Sequence, residues 1–175
     1  MKKERWNLLT TESSRDVNTA DQFAAYAIAY LDAAQLLCSH LALNERSATY
    51  EKGSTILYLA QHAIELFLKG AIARRELQES FDHKIEILHN RYNNLYPEKR
   101  FRFDLSFTTN YAGFTKEETD QERKKIPKID QLFRYPFDKR GQQWPGSYGF
   151  EANSFCAELV EIKSSFTRLL KEYEK

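Results

Sequence analysis

The sequence predicts an all-α protein, an up-and-down antiparallel bundle of four to five helices that carries one long aromatic-rich insertion. Apolar residues recur at intervals of three and four in four segments of the 175-residue chain. Glycine and proline are scarce, with 6 and 4 copies, which disfavours the many turns of a β-sandwich. Hydrophobic residues make up 42% of the chain, enough for the core of one domain over residues 1–175.

The first helix is expected from about residue 20 to residue 43. We expect the polar residues 1–18 before it to form a flexible lead-in. Asn18, Thr19 and Asp21 offer N-cap chemistry. The predicted inward face is a stripe with helical spacing: Phe23, Ala27, Tyr30, Ala34, Leu37 and Leu41.

A second helix is expected over about residues 49–77, with Ser47 or Thr49 as its cap. Its middle, from Ile56 to Ile72, is apolar on nearly every side. Helices of that kind are buried on several faces, so this one is expected at the centre of the fold.

Two further helices complete the bundle. A third is expected over about residues 82–95, capped by Ser80 or Asp82 and ended before Pro97. The last helix has a regular apolar seam that would pack on the core, on a second subunit or on both: Phe155, Leu159, Ile162, Phe166, Leu169 and Tyr173.

Residues 97–150 form the predicted insertion, and a connection this long in a small domain is usually functional. Basic side chains there alternate with aromatic ones, a combination that can hold single-stranded nucleic acid or a nucleotide. The alternative is a solvated charged loop whose rings close the end of the bundle, because acidic residues at 117–122 dilute the positive charge.

Charge and cysteine content narrow the class of protein. The net charge of +1 indicates neither a nucleic-acid nor a membrane partner. Residues 23–43 are interrupted by polar side chains and are not expected to span a membrane. No signal-peptide core follows the N-terminus, and Cys38 and Cys156 form no CxxC pair, so reduced thiols and a cytoplasmic location are expected.

Glu65 and Lys69 are the most prominent polar pair in the second helix. They lie four residues apart with the acid first, the favourable order for a helical ion pair. Apolar neighbours would partly desolvate both charges, so each needs a partner. Two interpretations stay open: a structural pair that orders the bundle, or a site that uses the charges.

Metal and cofactor sites are not expected. His62 and Glu65 have metal-ligand spacing, but no second HxxE or ExxH pair occurs to complete a site. The chain has no GxGxxG sequence, P-loop or nucleophile elbow. His83, in the first turn of the third helix, is a candidate for either packing or catalysis.

Three short segments resemble the HEPN superfamily in their order and spacing. They are His62-Ala-Ile-Glu-Leu-Phe-Leu-Lys69, then Asp82-His83-Lys-Ile-Glu-Ile-Leu88, then Phe133-Arg134-Tyr135-Pro136. The resemblance implies an antiparallel helical bundle that dimerises. It also implies a place in toxin–antitoxin, phage-defence or CRISPR systems, where many members cut RNA without metal and others are accessory.

The chain departs from the family at the catalytic residues. Active members carry an Arg followed, after four to six residues, by a His, in which the Arg stabilises phosphate charge and the His moves a proton. No histidine follows His89, so Arg134 has no partner at that spacing. The matching positions give candidate ligand-binding residues only, which are Glu65, Lys69, Arg134 and Tyr135, with His83 and Arg134 as the candidates for catalysis.

Three functions therefore stay open. The first is an accessory HEPN-like domain that forms a homodimer and binds nucleic acid, nucleotide or a protein partner, with no cofactor. The second is a divergent metal-independent RNase that uses His83 with Arg134 or Arg75. The third is a structural adaptor that docks through Trp144, Tyr148 and Phe150.

Overall fold

A computed structural model describes residues 18–76, 82–105, 133–135, 137, 140–142 and 150–174. These residues contain the α-helices α1 (Thr19–Leu43), α2 (Tyr50–Arg75), α3 (Ile85–Leu95) and α4 (Ala152–Tyr173). Two short 3-10 helices follow α1 and α3, at Glu45–Ser47 and Lys99–Phe101. The described part of the chain has no β-strand, so the predicted all-α class is confirmed.

Helix α1 begins where its cap residues predict. The side chain of Asn18 accepts a hydrogen bond from the backbone N–H of Asp21 at 2.9 Å. The predicted inward stripe is partly wrong, because Leu37 is 43% exposed. Three of the predicted residues, Ala27, Ala34 and Leu41, lie on the buried face, which also contains Ala20, Ala24, Leu31 and Cys38.

Helix α2 is the central element that the sequence predicts, since α1, α3 and α4 all pack against it. The ring of Phe67 stacks on that of Phe166 in α4, with 3.8 Å between centroids. By length and composition alone α2 could cross a membrane, but 61% of its apolar stretch is buried within the structure, as in a core helix.

Helices α1 and α2 approach closely near Gly70. A Cβ atom at this position would lie 2.9 Å from the backbone oxygen of Ala20 and 3.1 Å from the Cβ of Phe23. Gly70 therefore fixes the distance between the two helices. The neighbouring residues Ala24 in α1 and Ala71 in α2 are also small and buried.

Helix α3 begins at Ile85, three residues later than predicted, because Asp82 forms a turn. The Asp82 carboxylate accepts a hydrogen bond from the backbone N–H of Lys84 at 2.7 Å. At the other end, the Tyr96 hydroxyl donates to the Ala71 carbonyl at 2.8 Å, which ties the segment after α3 to α2.

Helix α4 buries the predicted seam from Phe155 to Leu169, while Tyr173 is half-buried. Most of residues 97–150 lie outside the described residues, as do the lead-in 1–17 and the rings of Trp144 and Tyr148. Phe150 is described, and its ring packs 5.4 Å from that of Phe155. This ring is therefore half-buried rather than a free docking surface.

Substitution of the two α2 glycines should have opposite effects on stability. Gly70→Ala should lower the free energy of unfolding by about 1–3 kcal/mol, because its Cβ would press on backbone atoms of α1. Gly53→Ala should raise it by up to about 1 kcal/mol, because its Cβ meets only the Phe150 ring at 3.4 Å. Urea unfolding of both variants measures the difference, and equal effects would contradict the close α1–α2 contact.

Candidate functional site

Glu65 and Lys69 form the ion pair that their spacing predicts. The Lys69 ammonium donates to Glu65 Oε1 at 2.6 Å. The Lys69 side chain is 7% exposed and that of Glu65 13% exposed, so α2 carries both charges at the edge of the core. Little water reaches the pair, and each charge therefore depends on protein partners.

His83 joins this pair from the segment that leads into α3. Its Nδ1 lies 2.9 Å from Glu65 Oε1 and 3.4 Å from the Lys69 ammonium nitrogen. The His83 side chain is 76% exposed, so it covers the ion pair from the solvent side. Glu65, Lys69 and His83 are thus brought together although 18 positions separate the first from the last.

The carboxyl of Glu65 stays ionised in this setting. Burial raises its pKa, but His62, Lys69 and His83 outweigh burial and lower the pKa from 4.5 to about 2. His62 Nδ1 lies 3.8 Å from Glu65 Oε2, too far for a hydrogen bond. We therefore assign most of the stabilisation to the direct contacts of Lys69 and His83.

The contact with Glu65 also assigns the two ring nitrogens of His83. An ionised carboxylate can only accept a hydrogen bond, so this contact requires the proton on Nδ1 and leaves Nε2 as the unprotonated nitrogen of the neutral ring. A carboxylate that orients an imidazole in this way is one half of a general acid–base site. No group of three or more His, Cys, Asp or Glu side chains suited to a metal occurs among the described residues.

Arg134 and Tyr135 lie in the described part of the insertion and form a pair of their own. The Arg134 guanidinium carbon is 5.6 Å from the centroid of the Tyr135 ring. Both residues are exposed, and Tyr135 is 52% exposed. The structure thus brings Glu65, Lys69 and His83 together at α2. It places Arg134 and Tyr135 beside each other in the insertion.

A second charged region was missed by the sequence reasoning. Arg74, Arg75 and Arg100 line one cavity of about 600 Å³ together with three aromatic side chains, Tyr96, Phe101 and Tyr173. These residues belong to three distant parts of the chain, so no sequence window shows them together. The local signals were the adjacent arginines at the end of α2 and the basic and aromatic residues at 99–102.

Comparison with protein-family models, with curated proteins and with solved structures finds no match to this chain.

Neutralising Glu65 should remove a pH-dependent part of the stability. Its pKa is about 2 in the folded state against 4.5 ordinarily, so its contribution is complete above pH 4.5 and is lost as the pH falls through about 2. Glu65→Gln should be less stable by about 3 kcal/mol at neutral pH, because the buried Lys69 ammonium loses the carboxylate that it contacts at 2.6 Å. Urea unfolding between pH 7 and pH 2 measures both effects.

The control for this experiment is Glu161→Gln, at an exposed position of α4. It should unfold like the unmodified protein at every pH. If Glu65→Gln shows the same acid dependence as this control, the ion pair contributes nothing to the fold.

Proposed function

We propose that this chain is an accessory HEPN-like domain that forms a homodimer and binds nucleic acid, nucleotide or a protein partner in bacterial defence or toxin–antitoxin systems. The resemblance, the clustering of Glu65, Lys69 and His83, and the missing Arg–His sequence support it. The proposal includes an up-and-down antiparallel bundle, which the short connection of residues 44–49 between α1 and α2 favours.

The observation that carries the proposed dimer is the exposed face of α1. Its large apolar side chains are mostly open to solvent: Tyr26 is 62%, Leu36 72%, Leu37 43% and Leu43 85% exposed. Ala25, Ala29 and Ala33 lie between them and are exposed as well. His40 lies within this face, and the exposed polar residues Asp32 and Ser39 border it.

Helix α1 buries one apolar face against α2 and α4 and leaves a second apolar face exposed. A partner that covers this second face would remove its apolar side chains from water. The exposed face is self-complementary, as a two-fold interface requires. Two antiparallel copies centred between Ala29 and Ala33 would set Tyr26 of each against Leu36 and Leu37 of the other.

The purified protein should therefore have twice its chain mass of 20.6 kDa in light scattering coupled to size exclusion. Leu36→Glu should convert it to a monomer, because the new carboxylate would be buried without a partner at the interface. The matched control is Ile87→Glu on α3, where the apolar side chain is 43% exposed on a different helix.

Two results would contradict the dimer. The unmodified protein could keep the monomer mass at every concentration tested. Alternatively, Leu36→Glu could keep the dimer mass while remaining as folded as Ile87→Glu, which would place the interface elsewhere.

A second candidate function is the divergent metal-independent RNase, and the contact between Glu65 and His83 favours it. With Nδ1 held by the carboxylate, Nε2 of an exposed ring can exchange a proton with a ribose hydroxyl. Arg134 or Arg75 would then stabilise the phosphate charge. This arrangement differs from the Arg–His sequence of the family, because here the histidine is paired with a carboxylate, that of Glu65 in α2.

The two candidates are separated by cleavage of labelled single-stranded RNA and tRNA in EDTA. The accessory function predicts no cleavage by the unmodified protein, by His83→Ala or by Arg134→Ala, while binding of nucleic acid, nucleotide or a protein persists. Metal-independent cleavage that His83→Ala abolishes and Glu161→Gln leaves intact would replace the accessory function with the RNase.

A further inference from the structure

The cavity lined by Arg74, Arg75 and Arg100, which we call the arginine cleft, has the features of a built anion site. It lies where the first turn of α1, the last turn of α2 and the end of α4 meet the 3-10 helix Lys99–Phe101. Its volume of about 600 Å³ falls in the range of about 300–1,000 Å³ typical of small-molecule sites.

Aromatic rings hold the guanidinium groups of the arginine cleft. Arg75 lies 4.8 Å above the ring of Tyr96, and Arg100 lies 4.7 Å above that of Phe101. Tyr96 and Phe101 are only 2% and 3% exposed, so their rings form a fixed floor. Arg75 also forms a hydrogen bond with the side chain of Tyr96. The other N–H groups of a stacked guanidinium stay available for hydrogen bonds in its plane.

Acidic residues only partly neutralise these arginines. Arg74 forms an ion pair with Asp21, and Arg100 lies 3.9 Å from Glu172. The second distance exceeds hydrogen-bonding range, and each guanidinium has five N–H donors. Three arginines and the two carboxylates beside them, Asp21 and Glu172, leave a net charge of +1 at the cleft. The N-terminus of α1, at Asn18 and Thr19, adds the positive end of a helix dipole.

We propose that the arginine cleft binds the polyphosphate group of a free nucleotide. Three guanidiniums around one cavity suit a group that concentrates several negative charges and many acceptor oxygens in a small volume. The rings of Tyr96 and Phe101 are already covered by arginines, so a base would find no open ring there. The phosphates would therefore provide the binding, and the identity of the base would matter little.

The arginines also have a structural role, which predicts a different result. Arg74 and Arg75 lie in the last turn of α2, where positive charge offsets the negative end of the helix dipole. That role needs no ligand. Measurement of binding, beside measurement of stability, distinguishes the two roles.

The inference rests on the binding role proposed above. It is tested by titrating the 175-residue protein with ATP, GTP, inorganic tripolyphosphate and single-stranded RNA in phosphate-free buffer. The first three should bind with similar affinity. Arg75→Ala/Arg100→Ala should weaken their binding at least about tenfold, since each charged hydrogen bond contributes that much. Arg75→Lys/Arg100→Lys should recover part of the affinity, because it keeps the charge without the stacked fork.

The matched control is Arg46→Ala, an exposed arginine just after the far end of α1. This position lies about 37 Å from the cleft along the 25-residue helix, so the substitution should leave binding unchanged. Hydrogen exchange on the unmodified protein tests the site without any substitution. Tripolyphosphate should protect the start of α1 and residues 96–101.

The inference would be overturned by no binding of tripolyphosphate or nucleotide, by equal affinity in the alanine double variant, or by protection only outside the cleft. Binding of RNA without binding of nucleotides would also overturn it, but would leave the proposed accessory function standing. If the protein is a monomer and binds no nucleic acid, nucleotide or protein, both this inference and the proposed accessory function are wrong.

Discussion

The structure depends on the close contact between α1 and α2, which is possible only because Gly70 has no side chain at the point of nearest approach. The contact sets the start of α1 beside the end of α2, so Asp21 reaches Arg74. It also decides which side of α1 is buried. Apolar side chains also lie on the exposed side of α1, so the packing against α2 determines which of its apolar faces is buried.

The cluster of Glu65, Lys69 and His83 depends on the same central helix. A buried ion pair contributes little net stability, because loss of hydration offsets the attraction between the charges. The pair instead makes each residue depend on the other, since removal of one member leaves the other charged and buried. The contact between His83 and Glu65 holds the segment before α3 against α2. The ion pair therefore helps to position α3, although it contributes little net stability.

Sequence alone predicts the helices well and their contacts less well. The periodic apolar residues locate α2 and the α4 seam, and the i, i+4 spacing identifies Glu65 and Lys69. The predicted inward face of α1 is wrong at Leu37, because apolar residues lie on the exposed face as well as on the buried one, so apolar spacing alone does not set the rotation of the helix. The arginine cleft was missed because it joins residues from 18 to 173, and no periodicity reports contacts over that separation.

Helix α1 links the proposed interface with the arginine cleft, yet this does not make the two interdependent. A ligand affects dimerisation only if it binds the two oligomeric states with different affinity. The cleft meets α1 at its first turn, whereas the exposed apolar face extends to Leu43, and the helix between is continuous. A rigid helix passes no change in conformation from one end to the other unless it shifts as a whole. The contact at Gly70 opposes such a shift, so nucleotide binding and dimerisation should be energetically independent.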